Sequence, residues 1–167
     1  MLTTLRAALL TTPFIGLWTA VMATLSFLVS FFDRTGVRQH RLAQIWGYIM
    51  LRVAGVRVTV DGLDRIDPEG SYVFVANHQS YLDTPLILGH VPVQFRFLAK
   101  DPLFRNPLLG AHLRRAGHIP VNRDDPRSSL RSMTDAARVI HEKRVSVLLF
   151  PEGGRTATGE LQEFKEG

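Results

Sequence analysis

Asn77-His78-Gln79-Ser80-Tyr81-Leu82-Asp83 is the stretch on which the fold turns. It follows an unbroken apolar run, Tyr72-Val73-Phe74-Val75-Ala76, and leads into Thr84-Pro85, a helix-start signal. The apolar run predicts a strand covered on both faces. A strand, a loop and a helix in that order are the repeating step of a layered α/β sheet. A histidine and a carboxylate at such a junction can form a base and its orienting partner.

The same pattern recurs outward from this point. Phe95 to Ala99 and His118 to Val121 read as further strands. Ser128 to Arg144 reads as a helix with Leu130, Met133, Ala137 and Ile140 on its apolar face, running into the strand Val145 to Phe150. Val56-Arg57-Val58-Thr59-Val60 alternates with period two, which predicts a half-exposed strand. Pro102, Asn106-Pro107 and Gly110 break the intervening segment into short helical pieces. The expected architecture is α/β, with a mixed, largely parallel sheet flanked by helices.

In front of this sheet lies a different kind of segment. Ala7 to Phe32 holds 26 residues without a charge, and at ~1.5 Å per residue it can cross a hydrocarbon core of roughly 30 Å. Pro13 interrupts it early, and Arg6 precedes it while Arg34, Arg38, His40 and Arg41 follow. A spanning or half-inserted helix is the favoured reading, ahead of a cleaved signal peptide or a buried soluble helix. The larger positive cluster after the segment places the rest of the chain on the cytoplasmic face of the inner or plasma membrane. Arg38 to Ala54 is amphipathic, with Leu42, Ile45, Trp46, Ile49 and Val53 as one stripe. Two readings stay open for it: packing on its own domain, or lying in the headgroup plane with Trp46 as anchor. The domain division is therefore residues 1–54 for membrane-associated helices and 55–167 for the domain that carries the chemistry.

Composition narrows the partners. The chain has 167 residues, a net charge of +5, 46% hydrophobic residues and no cysteine. Disulfides and thiolate metal sites are excluded. The positive charge suits an anionic partner. The arginines are scattered and no nucleic-acid module is recognisable, so a phospholipid surface is favoured over nucleic acid.

Four positions that could bind or react follow strands. They are His78, Lys100, Arg123 and the loop Phe150-Pro151-Glu152-Gly153-Gly154-Arg155-Thr156. Open α/β sheets bind ligands outside the carboxyl ends of their strands. Glycines such as Gly153 allow close backbone approach to an anion, and Arg155 can bind phosphate bidentately. His78 and Asp83 would lie about 140° apart on one continuous helix, so only a curled loop can bring them together. Individually these residues also fit plainer roles: a surface histidine, a helix cap at Asp83, an ordinary strand-end turn. Ser80 lacks the Gly-x-Ser-x-Gly elbow of a hydrolase nucleophile.

Taken together, the motifs resemble the glycerolipid acyltransferases, specifically the lysophosphatidate acyltransferase family. Asn77-His78 with Asp83 is similar to its Asn-His-x4-Asp block, and Phe150 through Thr156 to its Phe-Pro-Glu-Gly-Thr-Arg-Ser block. Gly117 to Arg123 resembles a block that ends in arginine, and Lys100 matches a lysine between the first two. Pro120 stands where the family often has a bulky apolar residue, and Gly154 where it has threonine. The family's fourth block, an apolar strand ending in proline, is not found before Gly167, so the second domain is expected to be truncated at its C-terminus.

The resemblance implies acyl transfer from a thioester to the 2-hydroxyl of 1-acyl-glycerol-3-phosphate, giving phosphatidate in phospholipid biosynthesis. His78 would be the general base and Asp83 its orienting partner. Lys100, Arg123 and Arg155 would hold phosphate, with Glu152 and Gly153 shaping that pocket or contacting the glycerol. The donor implied is acyl-CoA or acyl carrier protein, a co-substrate and not a bound cofactor, and no metal is implied. Competing expectations are another lyso-lipid acceptor, a non-catalytic membrane-docking module, and a lipid hydrolase using Ser80.

Overall fold

The computed structural model describes residues 7–122, 125–156 and 158–164. The chain divides into two compact units, Met1–Leu63 with Leu82–Val91, and Asp64–Tyr81 with Pro92–Gly167. The first unit is helical; the second holds the sheet.

In the helical unit a π turn, Ala7–Thr11, opens directly into α1, Thr12–Val29. Pro13 does not break this helix; it falls in the first turn of α1, directly after the π turn, where proline is tolerated. Leu9–Val29 is long and apolar enough to cross a membrane, with a mean hydropathy of 1.6 over its apolar window. Phe14, Leu17, Val21, Leu25 and Leu28 recur every three or four residues and are all exposed, whereas Met22 and Ser26 are buried. The large apolar residues thus face outward, the reverse of a helix in a water-soluble domain.

The chain turns at Ser30–Gly36 into α2, Val37–Val53. Asp33 makes that turn. One carboxylate oxygen accepts the N–H groups of Thr35 and Gly36 and the Thr35 hydroxyl. The other accepts the N–H groups of Arg38 and Gln39, at 2.7 and 3.1 Å. Those last two donors are first-turn helix groups that have no intrahelical acceptor. Burial by itself raises the Asp33 pKa, but the bonds from Gln39, Thr35 and Arg38 outweigh it and leave the carboxyl below its ordinary value.

The buried residues of α2 are Gln39, His40, Gly47 and Leu51, not the stripe through Leu42, Ile45 and Ile49. Trp46 is engaged inside the unit: its indole N–H donates to the Thr19 hydroxyl, and its carbonyl accepts the indole N–H of Trp18. α2 therefore packs within its own unit, while Ile45 on its apolar stripe stays exposed. His40, expected among the headgroup-facing cations, is buried, while Arg34, Arg38 and Arg41 are exposed. The third helix, α3, Asp83–His90, packs against α2 through small residues. A Cβ at Gly47 would stand 2.5 Å from the Pro85 carbonyl oxygen, and one at Gly89 2.9 Å from the Tyr48 nitrogen. This backbone-to-backbone contact brings Leu82–Val91 into the helical unit.

The second unit contains β1, Val73–Val75; β2, Phe95–Lys100; β3, Ile119–Val121; and β4, Ser146–Leu149. Their order is β1-β4-β2-β3 and every described pairing is parallel, in keeping with the largely parallel α/β sheet expected. Parallel neighbours need crossovers. Within this unit α4, Asp101–Arg105, and α5, Pro107–Arg115, precede β3, and α6, Pro126–Lys143, precedes β4. Phe95, Val147 and Leu148 are almost fully buried in the central strands. Ile119, Ala136 and Val147 form a cluster with Leu98, Val139 and Ile140 packed around it.

Three expectations change here. Val56 to Val60 forms no strand and pairs with no strand among the described residues. The strand at Tyr72 to Ala76 is not covered on both faces, since β1 lies at an edge and Val73 and Val75 are more than half exposed. The buried face of α6 is Ser129, Ser132 and Ala136, whereas Leu130, Met133 and Ala137 face outward. The serines have a physical reason to be inside. Ser132 donates to the carbonyl of Pro120 in β3 and Ser129 to that of Asn122 just after it, satisfying acceptors at the edge of the described sheet.

Candidate active site

Because the four strands are parallel, their carboxyl ends share one edge of the sheet, and the chain leaves each end carrying a predicted site residue. His78 follows β1, Lys100 is the last residue of β2, and Glu152 to Arg155 follow β4. Arg123 follows β3 but lies outside the described residues. Lys100 and Arg155 are both exposed, so this edge presents positive charge to solvent.

The loops after β1 and β4 are joined by several different contacts. Glu152 is 1% exposed. Its Oε1 accepts the backbone N–H of His78 at 2.8 Å, and its Oε2 accepts that of Gln162 at 2.9 Å. The carbonyl of His78 accepts the N–H of Thr156 at 3.0 Å, so both backbone groups of the histidine are held by the second loop. Gln79 donates its side-chain amide to the Gly159 carbonyl at 2.8 Å. The His78 ring stacks on Phe150, with centroids 4.1 Å apart and an 18° interplanar angle. Phe97 lies parallel on the same phenyl ring at 6.4 Å. The guanidinium of Arg155 lies over the Tyr81 ring, 3.5 Å from its centroid.

The second loop can take this shape because Gly153 has a φ of 76°, which an L side chain rarely adopts. Its N–H donates to the Phe150 carbonyl and closes a turn. That bond gives Gly153 a definite structural task, beside the anion contact suggested by its sequence context. The first loop is irregular from Asn77 to Ser80, so His78 is not on a helix. Asp83 is the first residue of α3, with Leu82 in the capping position expected for the aspartate. An acidic residue there still suits the positive end of the helix. Along the chain, His78 and Asp83 fall on either side of the boundary between the two units.

Sequence reasoning placed Glu152 near substrate and did not foresee its two backbone donors. Phe150 and Tyr81 were not foreseen as site residues either. The signal for Glu152 was weak but present: a glutamate that directly follows a buried strand must find donors if the loop folds inward. Nothing in the local sequence marks the Tyr81–Arg155 pairing. Among the described residues, no three His, Asp or Glu side chains gather as a metal site.

Comparison with known proteins identifies the family. Residues 57–167 match the family model described as Acyltransferase. A 1-acyl-sn-glycerol-3-phosphate acyltransferase of Limnanthes douglasii is 31% identical over 76% of this chain and 46% of its own. The chloroplastic LPAT1 of that name from Arabidopsis thaliana is 34% identical over 77% of this chain and 35% of its own. The crystal structure of the 1-acyl-sn-glycerophosphate (LPA) acyltransferase PlsC from Thermotoga maritima superposes with a TM-score of 0.69. It is 25% identical, covering 98% of this chain and 67% of the other. The chain thus spans less than half the length of the two plant relatives. With the family model matching well over half of its residues, the chain belongs to the acyltransferase family.

Proposed function

We propose that the chain carries the acceptor and base machinery of a 1-acyl-glycerol-3-phosphate O-acyltransferase, moving an acyl group from acyl-CoA or acyl carrier protein to the 2-hydroxyl. The observation that carries this reading is the backbone capture of His78 by Glu152 and Thr156, beside an exposed arginine on the same loop. A base whose main chain is bonded on both sides is pre-positioned, and preorganisation is where much catalytic advantage lies.

In this reading the imidazole of His78 takes the hydroxyl proton as the oxygen attacks the thioester carbonyl. The new C–O bond forms, the C–S bond breaks, and the imidazolium returns its proton to the departing thiolate. Asp83 is assigned by its motif to hold the imidazole in one tautomer. Lys100, Arg123 and Arg155 take the phosphate, with Arg155 suited to two oxygens at once. Glu152 acts on the backbone of the base rather than on the glycerol, and Gly153 shapes the turn.

The apolar outward face of α1 supports insertion into the membrane that holds the substrate. Arg34, Arg38 and Arg41, exposed just beyond it, fit anionic headgroups on the cytoplasmic side.

His78→Ala tests the assignment. It is expected to lower kcat for lysophosphatidate acylation about 10²- to 10⁴-fold, the range for loss of a general base, with vesicle binding unchanged. Retained turnover would remove His78 as the base. Loss of turnover in Ser80→Ala with His78 intact would favour a hydrolase-type nucleophile.

A further inference from the structure

Tyr81 has no role in the mechanism above, yet it lies at the end of the first loop, just before α3, with 77% of its surface exposed. A ring so exposed buries little apolar area and contributes little to the core. Its defined contact is the Arg155 guanidinium, stacked 3.5 Å from its centroid. The two loops are already joined by Glu152, Thr156 and Gln79, so the ring is not needed to hold them together.

Stacking does something specific for an arginine. The guanidinium is flat, and its N–H groups radiate in its own plane. A ring against one face leaves the edge donors free to reach two oxygens of a phosphate monoester. It also restricts a long side chain that would otherwise sample many rotamers in solvent. The ring's negative face favours the cation there. Ordering before binding removes part of the cost of capturing the anion.

We propose that Tyr81 is a positioning residue for the phosphate of the acceptor lipid, acting through the Arg155 guanidinium. This inference rests on the reading of Arg155 as a phosphate ligand. Either aromatic ring can carry the effect, so Tyr81→Phe retains it and Tyr81→Leu loses it.

The test is steady-state kinetics of the full chain in mixed micelles, varying lysophosphatidate and acyl-CoA separately. Tyr81→Leu is expected to raise KM for lysophosphatidate about fivefold, the size of an exposed cation–π contact. KM for acyl-CoA and kcat should not move, and Tyr81→Phe should match the parent. In an Arg155→Ala background, Tyr81→Leu should add nothing. The proposal is overturned if Arg155→Ala raises the lysophosphatidate KM while Tyr81→Leu does not. It is also overturned if Tyr81→Leu raises both KM values alike, or if Tyr81→Phe fails as badly as leucine. No change in the lysophosphatidate KM with Arg155→Ala would instead overturn the phosphate reading itself, and this proposal with it.

Discussion

Asp33 in the helical unit and Glu152 in the sheet unit are both buried carboxylates that accept backbone N–H groups, yet they hold different kinds of structure. Every donor to Asp33 lies within six residues of it. Glu152 takes one donor 74 residues away and another ten residues away. The first interaction can form as soon as one short segment folds. The second exists only when β1 and β4 have paired and their loops have met. A local carboxylate shapes an element; a long-range one carries information between loops, here to the backbone of the candidate base.

That contrast predicts unequal losses. Glu152→Ala removes the acceptor of the half-buried His78 N–H and of the exposed Gln162 N–H, which should cost about 2 kcal/mol of stability. Activity should fall further than stability explains, because His78 is released. A thermal melt and a kcat measurement at a temperature where the variant is folded separate the two effects. Glu152→Gln keeps one acceptor oxygen and should lose about half as much. If glutamine behaved as badly as alanine, the charge and not the bonding would be the important feature.

Asp33→Ala should cost about 1–2 kcal/mol, as for the loss of a helix cap, with kcat near that of the parent at permissive temperature. A kcat loss as large as for Glu152→Ala would break the distinction between local and long-range roles. The smallest effect expected is a pH dependence. The folded Asp33 carboxyl titrates below its unfolded value, so its contribution is present above the unfolded pKa of 3.8. It is lost as pH falls through the lower folded pKa. The melting-point difference between the parent and Asp33→Asn should therefore shrink in that acid window. A difference that stayed constant through it would show that ionisation of Asp33 does not contribute.

Much of this arrangement was legible in advance, and the failures have physical causes. Strands before His78, at Phe95, at Ile119 and before Phe150 were readable because each is a short apolar or β-branched run bounded by turn residues. The faces were harder. In α6 the serines look like the solvent side of an amphipathic pattern. They turn inward because the carbonyls of Pro120 and Asn122 need donors, a demand made by another part of the chain. In α2 the buried positions include Gly47, selected by the close approach of Pro85, which no periodicity rule counts. The alternation at Val56 to Val60 suits a strand, but pairing needs a neighbour and the described residues supply none.

The sequence by itself determined the α/β class, the apolar character of Ala7 to Phe32, and the placement of His78, Lys100 and Glu152 to Arg155 after strands. Local pattern suffices for these because apolar period, turn residues and charge act over a few positions. Only the tertiary structure decided the strand order, and that Glu152 holds the His78 backbone while Tyr81 carries Arg155. Those contacts join residues far apart in the chain. Their energies depend on burial, direction and distance, none of which is set until the parallel strands bring the loops together.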